Sequence, residues 1–394
     1  MSANRFRALG AGEWAAVAFA LLQTVLAGRV VARLARTAGG GRIVATDALP
    51  PTADRVTVIV PVLNERDRLG PCLDGLLAQG PEVVAILVVD GGSDDGTPTL
   101  VADYARRDPR LRLIEAESAP AGTNGKTYNL QAGLDAADAG VRWVLTIDAD
   151  VRPGPLLVRS LVAHARAQGL AALSVATRQR LSGPAEALIH PALLTTLVYR
   201  FGIPGRATSR VSEVQANGQC FLIERTALAR VGGFAPTADS VCEDVTLARA
   251  LASAGLPVGF AETAADDLVS VTMYAGAADA WRNWTRSLPM RDRFHGGLLG
   301  LTEVSLVQAL PLPLALAMTL GRWSGLEPLR RLNVGLVAIR LGVLAGTARA
   351  YPDRPPAYWL SPLCDVPATV GVWLGVARRR HTWRGRAIVR GGPR

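Results

Sequence analysis

The sequence is poor in cysteine and histidine, the residues that most often build disulfide frameworks and transition-metal sites. Its 394 residues include four cysteines and four histidines. The cysteines form no Cys-x-x-Cys pair, and the histidines show no metal-ligand spacing. These absences exclude a disulfide scaffold and a zinc site of the usual spacing, and they fit a reducing compartment.

Two common nucleotide-binding signatures are also missing. Residues 122–127 read GTNGKT, but a Walker A loop needs a glycine where this chain has Pro120. No Gly-x-Gly-x-x-Gly follows the first predicted strand, so a nicotinamide-binding fold has no support. Lys126 can still serve a diphosphate, because it precedes a predicted helix over 128–137 whose N-terminus favours anions.

Acidic residues are outnumbered by basic ones. Lys and Arg total 43 against 33 Asp and Glu, giving a net charge of +10 carried almost wholly by arginine. Such a balance indicates either nucleic acid or an anionic membrane face as a partner. The arginines lie beside apolar stretches and form no stripe interleaved with aromatics, and mean hydropathy is +0.22. We therefore expect a membrane and no nucleic acid.

The N-terminal region predicts a membrane anchor within residues 1–38. Residues 14–28 are uncharged, have arginines on both sides, and with the apolar residues that follow approach the ~20 residues that span a bilayer. A cleaved signal peptide is the alternative, although no clear cleavage site follows. The larger positive excess lies after the segment, which predicts that the next domain is on the cytoplasmic side of the cell membrane.

The C-terminal region predicts further membrane segments over 298–378, followed by a basic cytoplasmic tail over 379–394. Apolar stretches occupy 304–320, 332–348 and 357–377. If the catalytic domain and the tail share one side, the crossings between them must be even in number. We therefore expect the first stretch, which contains Pro311 and Pro313, to be re-entrant or interfacial. Arg340 and Asp365 fall inside the other two, either as functional intramembrane charges or as a helix–helix pair.

The middle of the chain alternates short apolar strands with helical stretches, after a linker over 39–55. The strands are predicted at 56–62, 85–90, 111–116, 143–148 and 171–177. This βαβ rhythm is typical of an α/β fold with a mostly parallel, doubly wound sheet. We assign it to a domain over 56–297.

Acidic residues follow several of these strands. Asp148-Ala149-Asp150 closes one strand and directs two carboxylates to the edge where open α/β sheets bind ligands. Carboxylates there suit a hard divalent cation that is shared with substrate phosphates. Asp90 ends the second strand before a glycine-rich turn, where Ser93 or Asp94 is the predicted cap of a helix near Thr97.

Glu243 and Asp244 precede a predicted amphipathic helix over 245–254. Carboxylates at a helix N-terminus are commonly dipole partners or caps, and that interpretation stands beside a catalytic one.

In this order and spacing the motifs resemble those of the family 2 glycosyltransferases, whose catalytic domain has the GT-A fold. The resemblance covers about residues 56–290 and is carried by these residues: Pro61-Val62-Leu63-Asn64-Glu65, Asp90 to Thr97, Gly125-Lys126, Asp148-Ala149-Asp150, Gly218 to Phe234, and Glu243-Asp244.

The resemblance implies roles for these residues. The donor, a nucleotide-diphosphate sugar, would be bound by seven residues: Pro61, Asn64, Glu65, Asp90, Lys126, Asp148 and Asp150. Within that set Asp90 would contact the base, Lys126 would lie near the nucleotide, and Asp148 would bind the ribose side. Asp150, with Asp148, would hold Mg²⁺ or Mn²⁺, and Asp244 beside Glu243 would be the general base.

Processive members of the family carry Gln-x-x-Arg-Trp after the base, whereas residues 281–287 here read WRNWTRS. This difference predicts transfer of a single sugar. The pattern around Trp281, Trp284 and Arg286, with the C-terminal apolar region, resembles bacterial membrane transferases associated with carotenoids or hopanoids. These three residues are predicted on the acceptor side, with interfacial anchoring of the tryptophans as the alternative.

The sequence thus predicts a membrane-bound inverting glycosyltransferase that moves one sugar to a lipid hydroxyl. A polyprenyl-phosphate acceptor is the alternative within enzymes. A non-catalytic membrane scaffold with the same fold is a further one.

Overall fold

The computed structural model describes residues 10–120, 122–206, 208, 210–265, 267–321, 326–378, 380–383 and 386–389. Its strands are β1 Val56–Val62, β2 Val83–Asp90, β3 Leu111–Glu115, β4 Trp143–Ile147, β5 Val151–Pro153, β6 Ala172–Ala176, β7 Arg178–Gln179, β8 Cys220–Glu224, β9 Val258–Glu262, β10 Val269–Val271, β11 Arg380–Trp383 and β12 Arg386–Val389. Its α-helices are α1 Ala11–Thr37, α2 Arg66–Leu77, α3 Thr97–Ala105, α4 Gly125–Ala136, α5 Leu157–Ala167, α6 Pro184–Phe201, α7 Arg225–Val231, α8 Glu243–Ser253, α9 Ala277–Ser287, α10 Leu299–Val304, α11 Pro311–Leu320, α12 Glu327–Thr347 and α13 Asp365–Ala377.

A seven-stranded sheet forms the centre of the molecule, in the order β3-β2-β1-β4-β8-β6-β9. All of its strands are parallel except β8, which is antiparallel to both β4 and β6. The mostly parallel α/β sheet predicted from the sequence is therefore confirmed. A smaller sheet, β5-β10-β7, and a hairpin of β11 and β12 complete the strand pairing of the described residues.

Alternate side chains of the central strands enter two separate apolar cores. Val58 and Val60 pack on one face with α2 and α5, whereas Ile59 packs on the other face with α4 and α8. Successive side chains of a strand point to opposite faces, so a strand covered by helices on both sides must be apolar throughout. This explains why β1 is apolar at every position except Thr57.

Two helix starts differ from those predicted. Helix α4 begins at Gly125 and not at 128, because the Asn124 side chain accepts a hydrogen bond from the Lys126 N–H at 3.0 Å and caps it. The cap predicted for α3 is wrong: Asp95, and neither Ser93 nor Asp94, accepts the Thr97 N–H at 2.9 Å. Ser93 is occupied elsewhere, since its hydroxyl binds the Asn64 N–H at 2.8 Å.

Among the residues that the structure describes, four helical segments are long and apolar enough to cross a membrane: Gly12–Thr37, Leu299–Leu320, Glu327–Ala350 and Pro356–Ala377. The segment that begins at Leu299 contains a π-helical turn over Ser305–Ala309 before Pro311. Its re-entrant placement stays a prediction, as do the domain boundaries. Helices α6 and α9, which lie inside the predicted catalytic range, pack against α13.

The two charges inside the C-terminal segments are paired. Arg340 of α12 meets Asp365 of α13 at 2.8 Å and 3.0 Å, and both side chains are buried. Gln308 also donates to Asp365, at 2.9 Å. Of the two alternatives left open for these charges, the structure shows helix–helix pairing.

Candidate active site

The chemistry-bearing residues meet at the C-terminal edge of the parallel strands. Asn64 and Glu65 follow β1, Asp90 ends β2, and Asp148 and Asp150 follow β4. Because β8 runs antiparallel to β4, the residues before β8 lie at the same edge. This places Gly218 beside the acids that follow β4.

The loop after β2 is held by side chains from both strand ends. The Asp90 carboxylate accepts the N–H groups of Gly92 and Ser93 at 3.2 Å and 3.0 Å, and it also binds the Ser93 hydroxyl. Asn64 accepts the Asp94 N–H at 3.0 Å. Asn64 adopts a left-handed backbone with φ 55°, a conformation that asparagine tolerates better than most residues. Asp90 and Asn64 therefore shape the loop at which the donor role is predicted.

Arg68 lies between Glu65 and Asp150 and contacts both carboxylates. The sequence did not indicate this residue. The Arg68 guanidinium lies 2.6 Å from Glu65 and 3.9 Å from Asp150. Its spacing of three residues on α2 from Glu65 is the signal that could have indicated it. Pro61, by contrast, is buried inside β1, so its predicted donor contact stays a prediction.

Lys126 joins the two acidic motifs. Its ammonium lies 2.7 Å from Asp148 and 2.9 Å from Glu243. Burial alone lowers the pKa of this lysine, but Asp148 and Glu243 together raise that pKa well above its usual value. Lys126 therefore stays protonated and balances part of the negative charge of the site.

Asp244 is fixed at the first turn of α8. One carboxylate oxygen accepts the Gly218 N–H at 2.7 Å, and the other accepts the Val245 N–H at 2.8 Å. Burial, followed by the neighbouring charge of Glu243, raises the pKa of Asp244 to about 7. A Cβ on Gly218 would lie 3.0 Å from the Lys126 nitrogen and 3.2 Å from the Asp244 Cβ, so glycine permits this close approach. The carboxylate is thus positioned as a proton acceptor near neutral pH.

Asp150 has the properties of a cation ligand. Its Oδ1 is buried and has no hydrogen-bond partner among the residues that the structure describes. Burial, and then the charge of Asp148, raise the pKa of Asp150 to about 7. Mg²⁺ and Mn²⁺ prefer such oxygen ligands, and a bound cation supplies the charge that this carboxylate lacks.

The described side chains alone do not complete the coordination shell of a divalent cation. No group of three His, Cys, Asp or Glu side chains with metal-binding geometry occurs among the described residues. Mg²⁺ commonly takes one or two carboxylates, with substrate phosphates and water as its other ligands. Asp150, with Asp148 beside it, fits that kind of site.

A cavity of about 660 Å³ extends from these acids into the helical layer. Asp150, Lys126 and Asp244 line one part of it. Another part is lined by apolar side chains of two helices long enough to cross a membrane: Val31 and Leu34 of α1, and Ile339 and Val343 of α12.

The family model described as glycosyl transferase family 2 matches residues 57–232. Residues 57–232 belong to glycosyl transferase family 2. Their segment holds the predicted donor-side residues from Pro61 to Asp150 and ends before Glu243 and Asp244.

Curated relatives match parts of this chain. The succinoglycan biosynthesis protein ExoO of Rhizobium meliloti is 35% identical over 30% of the chain and 33% of its own length, so the chain spans about a third of that relative. An N-acetylglucosaminyl-diphospho-decaprenol L-rhamnosyltransferase of Mycobacterium tuberculosis is 28% identical over 51% of the chain and 72% of its own length.

Among solved structures, a mannosyltransferase from Pyrobaculum calidifontis in complex with GDP-Man and Mn²⁺ superposes with a TM-score of 0.55. The match covers 92% of this chain and 98% of that one, at 22% identity. The shared architecture confirms the predicted GT-A fold.

The three predicted acceptor-side residues lie on α9 but have different surroundings. Trp284 lines the cavity and stacks on His190, with ring centroids 4.0 Å apart. The Trp281 ring instead packs against Gly371 of α13, where an added Cβ would lie 2.7 Å from the ring. Trp281 therefore connects α9 to α13. The acceptor roles of Trp281, Trp284 and Arg286 stay predictions, and Trp284 is the one with direct access to the cavity.

Proposed function

We propose that this protein is a membrane-bound, inverting glycosyltransferase that moves a single sugar from a nucleotide-diphosphate donor to the hydroxyl of a lipid. The observation that carries the proposal is the single cavity shared by the acids of the family 2 domain and the apolar faces of α1 and α12. A lipid lying between these helices has its polar end directed to Asp244. An isoprenoid alcohol of carotenoid or hopanoid type is the acceptor class that the sequence pattern favours.

Asp244 takes the acceptor proton in this mechanism. Its two backbone hydrogen bonds, from Gly218 and Val245, fix the carboxylate while leaving it ionisable near neutral pH. As the acceptor oxygen attacks the anomeric carbon of the sugar, the bond from that carbon to the diphosphate breaks and its electron pair leaves with the diphosphate. One carboxylate and attack from the opposite face give inversion.

The donor side is held by the strand-end residues. Asp150 and Asp148 would hold the divalent cation, which stabilises negative charge on the departing diphosphate when it is bound. Lys126, fixed by Asp148 and Glu243, keeps positive charge beside the same group. Glu243 therefore acts through Lys126, and we assign it as a positioning residue next to the base.

The charge of the cavity favours a neutral acceptor. Its lining includes five carboxylates, on Asp148, Asp150, Glu243, Asp244 and Glu262, against three cations, on Lys126, Arg178 and Arg349. A hydroxyl entering this acidic surrounding adds no charge, whereas an acceptor phosphate adds repulsion. This observation favours the lipid hydroxyl over the polyprenyl phosphate. The name of the mycobacterial relative, which includes a decaprenol-linked sugar, supports a lipidic acceptor.

Replacing the base tests the proposal. We expect Asp244→Asn to lower transfer of radiolabelled sugar to extracted membrane lipid by about 10²- to 10⁴-fold, the usual contribution of a positioned base. Asp103→Asn, on exposed α3, is the matched control and should retain full activity. Transfer would be measured with UDP- and GDP-sugars in the presence of Mg²⁺ or Mn²⁺.

The outcomes separate the alternatives. Full transfer by Asp244→Asn removes the base assignment and points to an acceptor phosphate, which is already anionic. Titration calorimetry with a nucleotide diphosphate tests the alternative that the protein is a non-catalytic membrane scaffold. Absence of cation-dependent binding in the wild type contradicts an enzyme of this class, and loss of that binding in Asp150→Asn supports the cation site.

A further inference from the structure

A second cavity, of about 1020 Å³, lies beside the last turns of α1 and is lined by arginines. Arg29, Arg33 and Arg36 come from α1, and Arg206 and Arg210 from the segment after α6. None of the residues with assigned roles in sugar transfer lines it, so its charge needs another explanation.

Two acids balance only part of this charge. Glu303 meets Arg29 at 2.6 Å and Arg33 at 2.9 Å, and Glu213 meets Arg210 at 3.3 Å. Arg36 and Arg206 are exposed and form no ion pair among the residues that the structure describes. Five guanidinium groups thus face two carboxylates, which leaves an excess of three positive charges around one cavity.

The cavity also has an apolar wall, on the same face of the same helix. Val25, Gly28 and Ala32 of α1 line it one turn apart, next to the arginines. Arginines in the last turns of a membrane-spanning helix lie at the depth of the lipid headgroups. The apolar face of the helix leads up to them. One guanidinium group can donate two parallel hydrogen bonds to two oxygens of a phosphate, a geometry that an ammonium group does not offer.

We propose that this cavity binds the phosphate of an anionic membrane phospholipid, whose acyl chain lies along Val25 and Ala32. This phospholipid is distinct from the sugar acceptor. Residues 201–204 and Gln215 line both cavities, so the bound headgroup supports a wall of the reaction cavity. The binding site does not depend on the proposed reaction, because its residues take no part in that chemistry.

Lipid binding by the full chain in detergent tests the proposal. Native mass spectrometry would compare bound phosphatidylglycerol with bound phosphatidylcholine. We expect the wild type to prefer phosphatidylglycerol. The double variant Arg36→Gln/Arg206→Gln should lose that preference by roughly 30-fold, since each of the two arginines contributes ~1 kcal/mol near an anionic lipid. Arg33 is left intact, because its guanidinium also binds Glu303 and the Tyr199 carbonyl oxygen and supports the fold.

The control removes the same charge elsewhere. Arg106→Gln/Arg112→Gln changes the arginine that follows α3 and an arginine of β3, and this variant should keep the wild-type lipid preference. Equal phosphatidylglycerol binding by wild type and the Arg36/Arg206 variant overturns the proposal, as does a wild type without preference. Displacement of the lipid by an equal concentration of inorganic phosphate would instead make this a site for free phosphate and overturn the lipid assignment. Sugar transfer is not needed for any of these measurements, so their failure and failure of the proposed reaction are distinguishable.

Discussion

Lys126 forms ion pairs with two of the five acids that line the reaction cavity, Asp148 and Glu243. Among the described residues, the nearest cation to Asp150 is Arg68 at 3.9 Å and Asp244 has no ion pair, and both acids have a pKa raised to about 7. The pairing therefore leaves one ionisable carboxylate for the proposed cation and one for the proposed proton transfer. Glycosyl transfer from a diphosphate donor needs one carboxylate to accept a proton and one to bind a cation. In the proposed mechanism Asp244 has the first task and Asp150 has the second.

The pH dependence follows from these two groups. Each is protonated below about pH 7 and ionised above it, and both proposed roles need the ionised form. We expect kcat/KM to rise as pH increases through about 7 and to level off above. Raising the cation concentration should move only the Asp150 contribution to lower pH, because cation and proton compete for that carboxylate. Initial rates across this range at two cation concentrations provide the measurement, and a flat profile would contradict both assignments.

Single residues differed in how far the sequence could predict them. Asp148, Asp150 and Asp244 were predicted because strand ends and helix starts fix where their side chains emerge. Arg68 was missed because its contact with Asp150 joins helix α2 to the segment after β4, which is distant in sequence. Asn64 and Asp90 were predicted to bind the donor, whereas the structure also gives their side chains a role in holding the loop.

Among the helices, α12 and α13 are joined by the buried pair of Arg340 and Asp365. A charge buried in an apolar surrounding is costly unless its partner remains. The pair is therefore a specific connection within the apolar parts of these two helices.

Breaking this pair on one side should destabilise the helical layer. We expect Arg340→Gln or Asp365→Asn alone to lower the free energy of unfolding by about 3–5 kcal/mol, because the other charge stays buried without its counterion. The double variant Arg340→Met/Asp365→Leu should recover most of that loss. Thermal unfolding in detergent measures the three variants, and a double variant as unstable as the sum of its parts would argue against a direct pair.

Helices and strands were predicted better than their ends. The alternation of apolar residues gives the strand positions, but the exact start of α3 or α4 depends on which side chain reaches the first N–H groups. Asp95 and Asn124 do so here, while the Ser93 hydroxyl is bound to Asn64 and Asp90. Such a choice is made by neighbours in space, which a single sequence does not contain.

For the whole molecule, the α/β architecture was predicted from the sequence, whereas the joined cavity was not. Its apolar part requires Leu34 of α1 to lie near Ile339 of α12, at opposite ends of the chain. Sequence patterns show that both helices are apolar, but not that they cover the acids of the family 2 domain. That arrangement gives the proposed lipid acceptor its path to Asp244.

Lys126 is the only lysine in the chain. Amine-reactive reagents attack a neutral and accessible amine, and the ammonium of Lys126 is mostly buried between two carboxylates. The folded protein should therefore resist acylation at this position, while Glu243→Gln should speed it and unfolding should restore full reactivity. Peptide mass spectrometry would read the modification without an engineered label. The rate of acylation of Lys126 therefore reports how accessible the site between Asp148 and Glu243 becomes.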